Sequence, residues 1–300
     1  MTLTNYASDG HYPELIALFR AAAARGSLDK DELVRVCTVG DDKHLRATLS
    51  TWVDLGLFTQ EGSLVGLAEG VAKRRGETLD EFTDRLPGIC RRRIFDSRHA
   101  LPLWRPDGEI TDEGIGPSAD FVRELAWTLS QDIYSFDFDA VEETAAALES
   151  QQVIPPKYIF KNRSRWSGLC FWARYTGFAS GDGRSIDPTD AIRAELPDIF
   201  QGASVLPALA FLRELGKRVP VLDFGTYRSE VESVLKDSVW RRPPRGQLST
   251  SLSFALRRLH LDQTIGLEAP ADAGETFLLS GREFRPWHPF SQVELRSLQS

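Results

Sequence analysis

The chain has 300 residues, 42% of them hydrophobic and 26% charged, with a formal net charge of −7. That length accommodates two or three domains whose cores need no staples, and the composition excludes collagen, coiled-coil rods and bulk disorder. No apolar run approaches the roughly eighteen residues of a membrane span, and the opening residues lack a basic-then-apolar signal layout. Cys37, Cys90 and Cys170 lie far apart with no CxxC pair. The expectation is a cytoplasmic protein without a disulfide scaffold or a structural zinc site.

Charge is unevenly spread. Residues 107 to 150 hold twelve acids against Arg123 alone, a net −11, which leaves +4 on the rest. Residues 157 to 174 carry Lys157, Lys161, Arg163, Arg165 and Arg174 with no acid, and residues 236 to 258 carry six cations against Asp237. Concentrated basic patches can attract a polyanion even on an acidic protein, because the local field governs the encounter. Pairing of acidic and basic faces within the fold explains the pattern equally well.

Residues 12 to 67 carry the clearest periodicity. Tyr12, Leu15, Ile16, Phe19, Ala22 and Ala23 share one helical face, and Gly26 ends it. Asp29 is an N-cap with Glu32 three residues on, flanked by Leu28 and Leu33 as a hydrophobic staple. The second helix stops near Gly40. A third, capped by Asp41 or Asp42, has Leu45, Leu49, Trp52 and Val53 on its apolar face. LFTQ and SLVGL, joined by Glu61-Gly62, read as a hairpin. Helix, short helix, helix, hairpin is the winged helix-turn-helix order, in which the third helix is offered to a major groove. Its outward positions include Lys43, Arg46, Ser50 and Thr51, with Asp41, Asp42 and Asp54 nearby. DNA contact and protein contact stand level for this module.

The C-terminal end shows the same order by spacing, without repeated residues. Val205, Leu206, Leu209 and Leu212 mark a helix, and Tyr227, Val231, Val234 and Leu235 a second. Beyond DSVWRRPPRGQ, a third carries Leu248, Leu252, Ala255, Leu256 and Leu259. TIGLEA and ETFLLS are expected as strands around a loop. Ser249, Thr250, Ser251 and Ser253 fall in the first turns of the third helix, where hydroxyls and free amides can approach phosphate. Arg257 and Arg258 lie further along it, and Arg241, Arg242 and Arg245 on the loop before it. Guanidinium forks suit phosphates and guanine edges, so nucleic acid is favoured at this end.

Between the ends, residues 79 to 99, 121 to 132, 141 to 148, 166 to 178 and 188 to 196 read as helices. The helix containing FVRELAWTLSQD is expected to be amphipathic. In KYIFKNRSRWSGLCFWARY the aromatics can stack on unpaired bases, but a core role for them is favoured.

The search for catalytic chemistry is mostly negative. There is no GxxxxGK[ST] loop, HExxH, GxSxG or dinucleotide fingerprint. His11, His44, His99, His260 and His288 are scattered. Ser233 with Lys236 is a chance-level S-x-x-K match. Asp198, Glu214 and Lys217 faintly match a nuclease set with the lysine one position off. Asp137 and Asp139 could hold a metal through carboxylate oxygens, but a solvated acidic turn is the favoured reading.

The order of pieces, with Arg91 to Arg93 and the ELAWTLSQD helix at Glu124 to Asp132, resembles the DpdG family. That family is encoded in bacterial gene clusters that insert 7-deazaguanine derivatives into DNA and restrict unmodified DNA. The resemblance implies an accessory, non-enzymatic component and carries over no catalytic residue, metal or cofactor. The expected fold is mainly α, with two winged helix-turn-helix modules flanking an all-helical central domain. Its divisions are 1–70, 71–200 and 201–300. Expected nucleic-acid contacts are Arg241, Arg242, Arg245, Ser249, Thr250, Ser253, Arg257, Arg258, Lys43 and Arg46. Expected partners are double-stranded DNA and other protein subunits of a defence complex, with a homodimer as an option and no membrane. A winged-helix transcription regulator and a nuclease-like subunit are the alternatives.

Overall fold

The computed structural model describes residues 2–4, 12–136, 141–162, 164–180, 185–270 and 274–296. Asp137 and Asp139 lie outside them. The described chain is mainly helical with small sheets of two or three strands. None of its helices is long and apolar enough to cross a membrane. It divides into two compact units, Met1–Val122 with Phe160–Thr176 and Arg123–Ile159 with Gly177–Ser300.

The first unit opens with α1 (Tyr12–Arg25), β1 (Leu28–Asp29), α2 (Lys30–Cys37), α3 (Lys43–Asp54), β2 (Phe58–Glu61) and β3 (Leu64–Leu67). Leu15, Leu18, Phe19 and Ala22 form the buried stripe of α1. Gly26 follows at φ +78, a region closed to most side chains. The Asp29 carboxylate accepts from the Asp31 and Glu32 amides at 2.9 and 3.4 Å, so the expected cap is formed. The strand β1 goes beyond the sequence expectation. It pairs antiparallel with β3, which also pairs with β2, giving the order β1-β3-β2. Thr51, expected outward, is buried, one helical turn before the buried Leu55.

The single helix expected over 79 to 99 is three: α4 (Leu79–Asp84), α5 (Leu86–Phe95) and α6 (Ser97–Ala100). Pro87 opens α5, where its missing N–H costs nothing, and Asp96 caps α6. The two units divide within α7 (Ala119–Ser130), an amphipathic helix whose polar residues, Asp120, Arg123, Glu124 and Thr128 among them, are buried along with its apolar face. After it come α8 (Val141–Gln152) in the second unit and α9 (Arg165–Tyr175) in the first. Asp120 accepts from the Thr4 amide at 2.8 Å and from the fully buried Arg165 at 2.9 Å. Trp172 of α9 packs 5.3 Å from Trp52. Tyr158, Ile159, Trp166, Leu169 and Trp172 are buried and Phe160, Phe171 and Tyr175 half-buried, so the aromatics of this stretch serve the core.

The second unit continues with β4 (Ala179–Ser180), β5 (Ser185–Ile186), α10 (Thr189–Phe200), β6 (Val205–Pro207) and α11 (Ala208–Arg218). Then follow α12 (Thr226–Glu232), α13 (Thr250–Leu261), β7 (Ile265–Glu268), β8 (Phe277–Ser280), β9 (Pro286–Phe290) and β10 (Gln292–Leu295). The centre is not purely helical, because β4 and β5 pair. Val205 and Leu206 belong to a strand and not to the helix expected there; Pro207, extended at φ −56 and ψ 140, separates them from α11. The strands of TIGLEA and ETFLLS do not pair with each other. β7 pairs with β10, which places the buried Val293 opposite Leu267, while β8 pairs with β9.

One topology therefore occurs twice. Helix, strand, helix, helix and two further strands, with sheet order first-third-second, describes α1-β1-α2-α3-β2-β3 and also α10-β6-α11-α13-β7-β10. In the second copy α12 and the β8–β9 hairpin are insertions. α10 packs on α11 and α13 as α1 packs on α2 and α3.

Candidate nucleic-acid interface

The start of α13 is built from hydroxyls. Ser249 Oγ accepts from the Leu252 amide at 3.3 Å and donates to Asp223 at 2.6 Å. Thr250 Oγ1 accepts from the Ile133 amide at 3.1 Å, and Ser251 Oγ donates to the Leu129 carbonyl at 2.7 Å. The Trp240 indole donates to the Ser130 carbonyl at 3.1 Å. Carbonyls at the end of α7, which a helix leaves without partners, are satisfied in this way. Ser253 Oγ accepts from the Ser280 amide at 2.8 Å. Ser249, Thr250 and Ser253, expected at phosphate, are thus buried with their hydroxyls engaged inside the fold.

The arginines separate into two groups. Arg242 pairs with Glu232 at 3.1 Å and with Asp237 at 3.9 Å, and Arg258 pairs with Asp187. Arg241, Arg245 and Arg257 are exposed and have no carboxylate partner among the described residues. Arg241 lies over the Phe284 ring at 5.2 Å, and Arg257 over Trp287 at 4.0 Å. Such stacking orders a guanidinium without neutralising it.

Arg257 also lines a cleft of about 460 Å³ between α13 and the β8–β9 hairpin, together with Tyr134, Arg282, Glu283, Arg285 and Trp287. Arg285 too is exposed without a carboxylate partner among the described residues, while Glu283 lies 3.9 Å from Arg282. Asp132 ties two walls together, accepting from the Tyr134 amide at 3.2 Å and the Glu283 amide at 3.3 Å. Burial pushes the Tyr134 phenol above its ordinary value, with the Arg257 charge pulling it back in part.

The N-terminal candidates differ in kind. Lys43 is exposed on the first turn of α3. Arg46 is held by Asp31 at 2.8 Å and Asp42 at 2.7 Å, and these hydrogen bonds raise its pKa further. Asp198 and Glu214 converge, but on Arg218, at 3.3 and 3.2 Å. Lys217 reaches Glu214 at 3.2 Å. His260 and His288, far apart in sequence, stand with ring centroids 5.6 Å apart.

The DpdG-like family matches residues 1–273. The chain belongs to the DpdG-like family. Comparison with curated proteins finds no match, and comparison with solved structures finds none either. The family points to involvement in a DNA modification system. Within this DpdG-like chain the matched span contains Arg241, Arg245 and Arg257 and ends before Arg282, Arg285 and Trp287. Sequence reasoning missed these last three, and Tyr134. The signal is present in GREFRPWHP, where cations alternate with aromatics, but the same pattern occurs at 157 to 174, where it is core.

Proposed function

We propose that this DpdG-like protein is a non-enzymatic DNA-binding or scaffolding component of a bacterial DNA modification and restriction system. In this reading it works in the cytoplasm alongside other protein subunits of the machinery. Residues 1–70 form one winged helix-turn-helix module, and residues 201–300 form another once α10 (Thr189–Phe200) is added as its first helix, with the rest of 71–200 between as connector. The repeated topology supports that reading, since α3 and α13 occupy the position of the groove-facing helix in each copy.

The observation that carries the DNA reading is the set of exposed cations Arg241, Arg245, Arg257 and Arg285, none of them paired to a carboxylate among the described residues. Three of the four lie on α13 or border the inserted hairpin. Unneutralised guanidiniums are what phosphate contact requires. Around Arg46 the acids neutralise the corresponding charge, which favours a protein-facing role for the first module. Arg218 fills the space between Asp198 and Glu214, which counts against a metal-dependent nuclease. Titrating blunt duplex DNA with the purified protein at rising salt tests the proposal. Affinity that falls with salt supports it. No binding at low salt leaves the scaffold role alone.

A further inference from the structure

The cleft between α13 and the β8–β9 hairpin has a composition that duplex contact does not use up. It sets three guanidiniums, those of Arg257, Arg282 and Arg285, against the single carboxylate of Glu283, and adds the Trp287 indole and the Tyr134 phenol. Trp287 keeps 44% of its surface exposed although Arg257 already lies over it. A large aromatic left open inside a basic concavity is a stacking platform. The volume of about 460 Å³ lies in the range of pockets that hold small organic ligands.

The walls are held in place before any ligand arrives. Asp132 bonds the backbone of both sides. Glu283 and Phe284 adopt φ values of 59 and 58, a left-handed conformation that non-glycine residues disfavour and that the surrounding contacts must enforce. Ser253 and Ser280 close the floor through their mutual hydrogen bond.

We propose that this cleft binds an unstacked nucleotide of DNA, with the phosphate on Arg282 and Arg285 and the base on Trp287. The proposal rests on the reading of this module as DNA-facing. A paired base in a duplex cannot enter, so the site selects single-stranded overhangs or bases displaced from the helix. Guanidinium forks hold the phosphate bidentately, and the indole accepts any base because every base has a π face.

The test is fluorescence anisotropy on the full chain with two labelled DNAs, a blunt duplex and the same duplex with a short single-stranded overhang. The overhang duplex should bind about ten-fold more tightly, as stacking of one base allows. Trp287→Ala should remove that preference, bringing the overhang duplex to the affinity of the blunt one, and Trp287→Phe should keep most of it. Should Trp287→Ala fail to fold, the exposed Arg282→Gln serves instead and should reduce the preference by several-fold. Equal affinity for both DNAs in the parent overturns the nucleotide site and leaves the duplex reading standing. Binding of the overhang DNA alone keeps the site and refutes the duplex reading. Binding of neither refutes both.

Discussion

Arg257 lies over the indole of Trp287 at 4.0 Å, and this contact joins the later turns of α13 to β9. The stack fixes a long side chain at small entropic cost and leaves its charge available. Arg258, the next residue along, faces Asp187 and is neutralised. Two adjacent arginines on one helix thereby have opposite prospects at a phosphate.

The same distinction divides the loop before α13. Arg241→Ala should weaken duplex binding more than Arg242→Ala, because Arg242 already carries Glu232 and Asp237 as partners. Single-substitution titrations at one low salt concentration check this. Equal losses would mean that the ion pairs open on binding.

Ser249→Ala should destabilise the fold by about 1 kcal/mol, the usual cost of removing an N-cap. Its hydroxyl serves both Leu252 and Asp223. A thermal melt should shift down by a few degrees, while DNA affinity measured well below the melt stays as in the parent. A selective loss of affinity with an unchanged melt would restore this hydroxyl to the phosphate-binding set.

Asp120→Ala should cost about 3–5 kcal/mol, since it removes one of the two carboxylates that compensate a fully buried guanidinium. Arg165 has no exposed surface and donates to Asp120 at 2.9 Å and to Asp112 at 2.8 Å. Denaturant unfolding gives the number. A loss below about 1 kcal/mol would show that Asp112 alone suffices for Arg165, as at an exposed pair.

Arg85 holds the Glu77 carboxyl at about 2, below its ordinary 4.5, chiefly by hydrogen bonds at 2.5 and 2.8 Å. A depressed carboxylate stabilises the fold above its unfolded pKa, and that contribution is lost as pH falls toward its folded value. The pair should therefore hold at neutral pH and fail between about 4.5 and 2. Side-chain NMR titration should place Glu77 near 2, and in Arg85→Ala its pKa should rise toward 4.5.

Local signals made much of the helical framework legible. Gly26, Asp29 and the stripe of α1 mark their boundaries by capping and periodicity, which need no tertiary knowledge. The strands were harder. Val205 and Leu206 are apolar neighbours of a helix, and only their pairing with β10 reveals a strand. That partner lies more than eighty residues away, beyond the inserted hairpin. The hydroxyls of α13 misled because a Ser- and Thr-rich helix start serves phosphate and capping alike. Ser251 could have been placed, since it precedes Ala255 by one helical turn and so falls on the buried stripe. The cleft was invisible because Tyr134, Arg257 and Trp287 come from three separate stretches of chain.

The most direct test compares two variants on blunt duplex DNA across several salt concentrations. Replacing Arg241, Arg257 and Arg285 together by alanine should weaken binding for all sequences. It should also flatten the dependence of log affinity on log salt, by about 0.9 for each phosphate no longer neutralised. Replacing Lys43 and Arg46 should leave both affinity and slope close to the parent. A larger loss from Lys43 and Arg46, or a triple variant with parental affinity and slope, would contradict the assignment of DNA binding to the C-terminal module.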